Sequence, residues 1–192
     1  MKKLKVTIIG YGGMGSFHAK LIQANPEVEV HGIFDILESR QQAGEADGYK
    51  EYDSLEEAVN DACADTILIA TPNDVHKEIA AQALEAGKHV ICEKPVTLNS
   101  EELSEIMHTA KEHERVFMVH QNRRWDSDFQ MVKDLYENRK IGEVFHIESR
   151  VQGANGIPGD WRHLKAHGGG MLLDWGVHLF DQLLYMVDSP LV

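Results

Sequence analysis

The stretch LKVTIIGYGGMGSFHAKLIQAN, residues 4–25, decides how the rest of the chain is read. Its apolar run, Leu4 to Ile9, breaks at glycines, and apolar residues resume at Met14, Phe17, Leu21 and Ile22 with the three-and-four spacing of a helix face. Strand, tight turn and helix are therefore expected in that order. Gly10, Gly12 and Gly15 fall on the Gly-x-Gly-x-x-Gly spacing, with Gly13 between them. In that pattern the first glycine allows the turn, the second lets backbone approach a pyrophosphate, and the third lets helix pack on strand. The helix N-terminus would then offer free N–H groups and a positive dipole end to phosphates.

Glycines also have a purely conformational reading in a tight turn. The segment Val28 to Phe34 reads as a second strand and ends in Asp35, twenty residues beyond Gly15, where a ribose-binding carboxylate is expected. Strand, glycines, helix, strand and acid in register point to a dinucleotide site.

The chain has 192 residues, 43% of them hydrophobic, enough to bury a core. Its 19 Lys plus Arg against 31 Asp plus Glu give a formal charge of −12, which opposes nucleic-acid binding and favours a cytoplasmic protein. Cys63 and Cys92 stand alone, so no disulfide framework or zinc motif is indicated and a reducing compartment fits. No leader is read at Met1, Lys2 and Lys3, and no stretch approaches the roughly eighteen apolar residues of a membrane span.

Beyond Asp35, a short helix is expected over Glu38 to Ala46 and a short strand over Tyr49 to Tyr52. Ser54 and Glu57 form a capping box for a helix through Asp61. Thr66 to Ala70 reads as a buried strand, and a helix from about Val75 ends at Gly87. His89 to Cys92 is the next strand, Asn99 caps a helix with Glu101 and Glu102 in its first turn, and Val116 to His120 is a further strand. Such alternation is the signature of a doubly wound parallel sheet, an α/β Rossmann-type domain, taken as residues 1–122.

The pattern changes over 123–192, read as the start of an incomplete α+β domain. Trp125 to Asn138 reads as an amphipathic helix, Val144 to Val151 as an antiparallel strand, Gly153 to Asp160 as a loop, and a last helix runs from Gly170 to near Asp188. Leu191 and Val192 look like the first residues of another strand.

Open α/β sheets bind ligands at the carboxyl ends of their strands, so chemistry is sought where strands end. Those residues are Gly10 to Gly15, Asp35, Thr71 to Asn73 with His76, Glu93 to Pro95, and Asn122 with Arg123 and Arg124. Each has a plainer reading: Asn73 as a helix cap, His76 as a surface histidine, Glu93 with Lys94 as an exposed ion pair. Lys94 is followed by Pro95 at a strand terminus, so a stiff backbone holds it, and it is the candidate catalytic cation. Asp174 and His178 are four apart on one helix face, where a carboxylate can orient an imidazole suited to accept a proton. An ordinary helix-surface pair is the alternative. His163, His167, Asp174 and His178 are metal-ligand types whose spacing matches no familiar zinc pattern.

The set GYGGMG at 10–15, TPNDVH at 71–76, CEKP at 92–95, HQNRRW at 120–125, WR at 161–162 and GGGMLLDWGVH at 168–178 resembles the Gfo/Idh/MocA oxidoreductases along essentially the whole chain. The resemblance implies a Rossmann half for NAD or NADP, then an open-sheet half that covers a sugar, cyclitol or related substrate and mediates oligomers. It implies that Lys94, Asp174 and His178 are catalytic. It also implies that Tyr11, Gly13, Met14, Asp35, Thr71, Pro72, Asn73, His76, Glu93, Lys94, Asn122, Trp161 and Arg162 line the cofactor beside Gly10, Gly12 and Gly15. Asp35 favours NAD because a carboxylate repels a 2′-phosphate, while Arg40 leaves NADP use open.

Members of that family are usually much longer chains. The expectation for this one is an NAD-dependent dehydrogenase whose catalytic residues are present but whose substrate pocket lacks a wall, with activity and inactivity of the short chain both left open. It would act as a homo-oligomer or with a partner chain that completes the second domain. The alternatives are a non-catalytic NAD-binding module, half of a split enzyme, and an NAD-assisted glycosidase.

Overall fold

The computed structural model describes residues 3–153, 156 and 159–189. The expected strand start at Leu191 and Val192, and part of the expected 153–160 loop, lie outside the described residues. The chain separates into two compact units, Met1–His120 and Gln121–Val192.

In the first unit, β1 (Leu4–Ile9), β2 (Val28–Phe34), β3 (Lys50–Glu51), β4 (Thr66–Ile69), β5 (His89–Cys92) and β6 (Phe117–Val119) form one six-stranded sheet in the order β3-β2-β1-β4-β5-β6. All the pairings are parallel. The helices between them are α1 (Gly13–Gln23), α2 (Glu38–Ala46), α3 (Leu55–Asn60), α4 (His76–Glu85) and α5 (Ser100–Glu112). Strand side chains alternate between faces. Val6, Ile8, Ile33 and Leu68 thus pack with Ala19 of α1, while Ile9, Ile67, Ile69 and Val90 pack with residues of α3, α4 and α5. This is the doubly wound Rossmann arrangement, whose order reverses between β1 and β4 and opens a crevice at their carboxyl ends.

The local signals act as read. Ser54 Oγ accepts from Glu57 N–H at 3.1 Å, and Asn99 Oδ1 accepts from Glu102 N–H at 2.9 Å. The face of α1 is a correction. Its buried residues are Gly15, His18 and Ala19, whereas Phe17 and Leu21 are 47% and 50% exposed. The close approach is confined to Gly15 at the start of the helix; farther along, His18 is buried and Ile22 packs against the core.

In the second unit a 3-10 turn, Asn122–Trp125, precedes α6 (Ser127–Glu137), so the expected helix from Trp125 starts later. The strand expected over Val144 to Val151 is not formed: these residues are irregular, with Phe145 almost fully exposed. Alternation alone makes no strand, and among the described residues none runs beside it to supply a hydrogen-bond ladder. The last helix is also reshaped. A π-helical turn, Leu172–Gly176, leads into α7 (Val177–Met186). Arg124 grips Asp181 of α7 with two hydrogen bonds, 2.8 and 2.6 Å, and lies over the Tyr185 ring, so it anchors the turn to the helix. Arg124→Ala is expected to destabilise this unit by about 1–2 kcal/mol, read as a lower denaturant midpoint. Among the described residues no helix is long and apolar enough to cross a membrane.

Candidate dinucleotide and catalytic site

The glycine turn is built by two close approaches. Gly10 has φ +90°, and a Cβ there would sit 2.7 Å from the carbonyl oxygen of Ala70, just past the end of β4. A Cβ on Gly15 would lie 2.0 Å from the Gly10 carbonyl oxygen. Gly12 and Gly13 are the opposite, since a Cβ on either would meet nothing within 4 Å. Gly12 caps α1 without a side-chain hydrogen bond, and the first turn holds no acid. A helix start with no side-chain cap, no acid in its first turn and open space beside Gly12 and Gly13 fits the pyrophosphate of a dinucleotide. Gly12→Ala is therefore expected to change stability by no more than about 0.5 kcal/mol yet weaken dinucleotide binding at least about tenfold, by calorimetry.

Asp35, at the end of β2, is fixed by its neighbours: Oδ2 accepts from Tyr11 N–H at 2.8 Å and Oδ1 from Leu37 N–H at 2.9 Å. Its carboxylate thus stands beside the glycine turn. Tyr11 reaches away, donating its hydroxyl to Asp47 at 2.6 Å with its ring buried. Burial, and then Asp47, push its phenol above the usual range. Tyr11 therefore has its backbone beside Asp35 and its ring in the core. Met14 is half-buried, and Arg40 of α2 is exposed.

At the end of β4, Thr71 and Pro72 lead into a 3-10 turn, Asn73–Val75. Pro72 occupies its N-cap position, and the buried Asn73 makes no side-chain cap there. His76 is no surface histidine. It is fully buried, with Nδ1 2.9 Å from the Pro95 carbonyl and Nε2 3.0 Å from the Thr71 carbonyl, and burial pushes its pKa down. It clasps the exits of β4 and β5 together.

The β5 exit also departs from its plainer reading. Glu93 is buried rather than an exposed partner of Lys94. Its Oε1 receives His18 Nε2 of α1 at 2.7 Å and His120 Nδ1, just past β6, at 2.9 Å. Burial raises the carboxyl, but the hydrogen bonds and charges of His120 and His18 outweigh it and hold the pKa at about 2. A depressed acid stabilises the fold above its unfolded pKa and loses that contribution as pH falls through the folded value. Glu93→Gln is thus expected to cost about 2–3 kcal/mol at pH 7, with the gap to the parent closing between about pH 4.5 and 2 in denaturant titrations. Lys94 follows, half-buried, and its peptide bond to Pro95 is cis.

The second unit holds the remaining candidates. Asn122 begins the 3-10 turn before α6. Arg123 bonds Asp126 at 2.9 Å and stacks over Trp175 of the π-helical turn, so it has an architectural role there. Arg162 lies over the Trp161 ring, bonds Asp160 at 2.7 Å and stands 3.6 Å from Asp174. Asp174 lies on the π-helical turn, and His178, one turn into the helical run, is buried with its ring edge-on to Trp175. The structure therefore places Arg162 beside the carboxylate expected to orient His178. Among the described residues, His163, His167, Asp174 and His178 do not converge as a ligand set. The clusters that do are His18, Glu93 and His120, and His31, Asp61 and Cys63.

The model for an oxidoreductase family with an NAD-binding Rossmann fold matches residues 4–121, and that for a GFO/IDH/MocA C-terminal domain matches 129–192. The chain belongs to the Gfo/Idh/MocA oxidoreductases. Within that family, a crystal structure of an NAD-binding protein from Listeria innocua is 62% identical with a TM-score of 0.96, covering 98% of this chain and 56% of that one. The scyllo-inositol 2-dehydrogenase (NADP(+)) IolW of Bacillus subtilis is 31% identical over 97% of this chain and 52% of its own. The D-glucoside 3-dehydrogenase of Escherichia coli is 30% identical over 98% and 55%. This chain spans about half the length of the curated relatives it matches. Its first unit is the family's NAD-binding domain.

Proposed function

We propose that the chain is the cofactor-binding part of an NAD-dependent oxidoreductase that moves a hydride between a nicotinamide cofactor and the CH–OH carbon of a sugar, cyclitol or related polyol. The observation that carries this reading is the open, uncapped N-terminus of α1 behind Gly12 and Gly13, with the oriented carboxylate of Asp35 beside it. Asp35 would take the ribose hydroxyls and repel a 2′-phosphate. The names of the Bacillus and Escherichia relatives, an inositol and a glucoside dehydrogenase, support the substrate class.

The nicotinamide cofactor supplies the hydride acceptor or donor. In this reading Lys94 bonds the reacting oxygen and stabilises its developing charge, His178 takes the hydroxyl proton, and Asp174 keeps the imidazole oriented. Thr71, Pro72, Asn73, Met14, Asn122, Trp161 and Arg162 line the cofactor, with Arg162 also bracing Asp174. The exposed Trp125, Leu172, Phe180 and Leu184 favour a protein surface against the second unit, from another copy or a completing partner. The two free cysteines favour a cytoplasmic setting.

NADP use is the second reading, favoured by the name of the Bacillus relative and by the exposed Arg40. Calorimetric titration with NAD and NADP separates them: NAD binding at least about tenfold tighter is expected. Equal or tighter NADP binding would overturn the cofactor preference, and no binding of either would overturn the reading. A screen of polyols and sugars for NADH formation, run on the chain and on one extended to its relatives' length, then tests the substrate class.

A further inference from the structure

Three side chains from distant parts of the first unit meet on one carboxylate oxygen. His18 comes from α1, the helix that starts at the glycine turn, Glu93 from the exit of β5, and His120 from the exit of β6. The two imidazoles stand edge-on, with ring centroids 4.5 Å apart, and the second Glu93 oxygen accepts from Lys94 N–H at 3.3 Å. His18 and Glu93 are buried. A zinc ion with bonds of about 2.0–2.1 Å in tetrahedral geometry would hold its ligand atoms more than about 3.2 Å apart. Here Nε2 and Nδ1 lie 2.7 and 2.9 Å from the shared oxygen, the spacing of donated protons.

We propose that Glu93, His18 and His120 form a proton-bearing positioning cluster that ties the phosphate-binding helix to the backbone of Lys94. Glu93 then serves the cofactor through α1 and Lys94 rather than by touching it. The inference rests on the proposed cofactor site and goes beyond it in giving Glu93 and the two histidines their role. His18 donates its Nε2 proton and His120 its Nδ1 proton to the Glu93 anion, so each ring keeps its other nitrogen for a further proton.

The test uses the chain itself, with heteronuclear NMR of the histidine rings and calorimetry with NAD. In the parent the ring nitrogen shifts are expected to place a proton on His18 Nε2 and on His120 Nδ1, and in Glu93→Ala the His120 proton is expected to move off Nδ1. Glu93→Ala, His18→Ala and His120→Ala are each expected to weaken NAD binding about tenfold. His18→Gln and His120→Asn keep a donor nitrogen near the original position and are expected to stay within about threefold of the parent. Ring protons on the opposite nitrogens in the parent, or alanine variants that bind NAD as the parent does, would overturn the proposal. So would stoichiometric binding of added zinc or cobalt that Glu93→Ala abolishes. Should Glu93→Ala not fold, the ring protons of the parent and the two histidine pairs decide the question. Failure of the parent to bind NAD would sink the proposed function instead, while the positions of the ring protons would still decide the cluster.

Discussion

Lys94→Ala, in a chain of the relatives' full length, is expected to lower turnover of a polyol or sugar about 10²- to 10³-fold while NAD affinity falls no more than about threefold. The reason is the division of labour at the β5 exit. The backbone of Lys94 is held from both sides, by Glu93 Oε2 through its N–H and by Pro95, whose carbonyl His76 engages. Truncating the side chain leaves that scaffold intact and removes only the cation proposed to meet charge that develops on the substrate oxygen. Steady-state kinetics with saturating cofactor measure the loss. A raised KM for NAD with unchanged kcat would instead make Lys94 a cofactor-binding residue.

Gly15→Ala is expected to destabilise the first unit by about 3 kcal/mol and to abolish measurable dinucleotide binding. On an open helix the same change stabilises by up to about 1 kcal/mol, because alanine loses less backbone entropy. Here the added methyl would lie 2.0 Å from the Gly10 carbonyl oxygen, with Ile8 on the other side at 3.4 Å. Both close neighbours belong to the strand and turn that α1 must pack against, so relief requires the helix to lift from β1 and the pyrophosphate cradle to open. Gly13→Ala is the internal control, since its Cβ would meet nothing within 4 Å. Chemical denaturation of the two variants compares them directly. Equal stability would mean that α1 sits farther from the turn than the geometry shows.

Both predictions begin from features legible in the sequence. The Gly-x-Gly-x-x-Gly spacing, Asp35 at the next strand end, and the alternation of strands and helices through His120 led to the Rossmann sheet. They suffice because each is local: an apolar run, a glycine where the turn is tight, an asparagine cap as at Asn99. The motif set from GYGGMG to GGGMLLDWGVH led to the family, which the matches along both units show.

What stayed hidden was relational. Phe17 and Leu21 satisfy helical periodicity, yet α1 turns Gly15, His18 and Ala19 inward, because contact with the glycine turn at Gly15 sets which face meets the sheet. Glu93 beside Lys94 reads as a surface pair, yet its partners lie 75 and 27 residues away. Arg124 is equally remote from Asp181 in the chain, and its two-pronged bond settles an architectural role. Val144 to Val151 has strand alternation and no neighbour to pair with among the described residues. The sequence by itself determined which segments become helix or strand in the first unit and where the dinucleotide turn lies, because local sterics, capping and periodicity act over a few residues. Only the tertiary structure decided which face of α1 is buried, that Glu93 is a buried anion between two histidines, and that Arg162 stands beside Asp174, because burial and charge pairing depend on the elements that packing brings together.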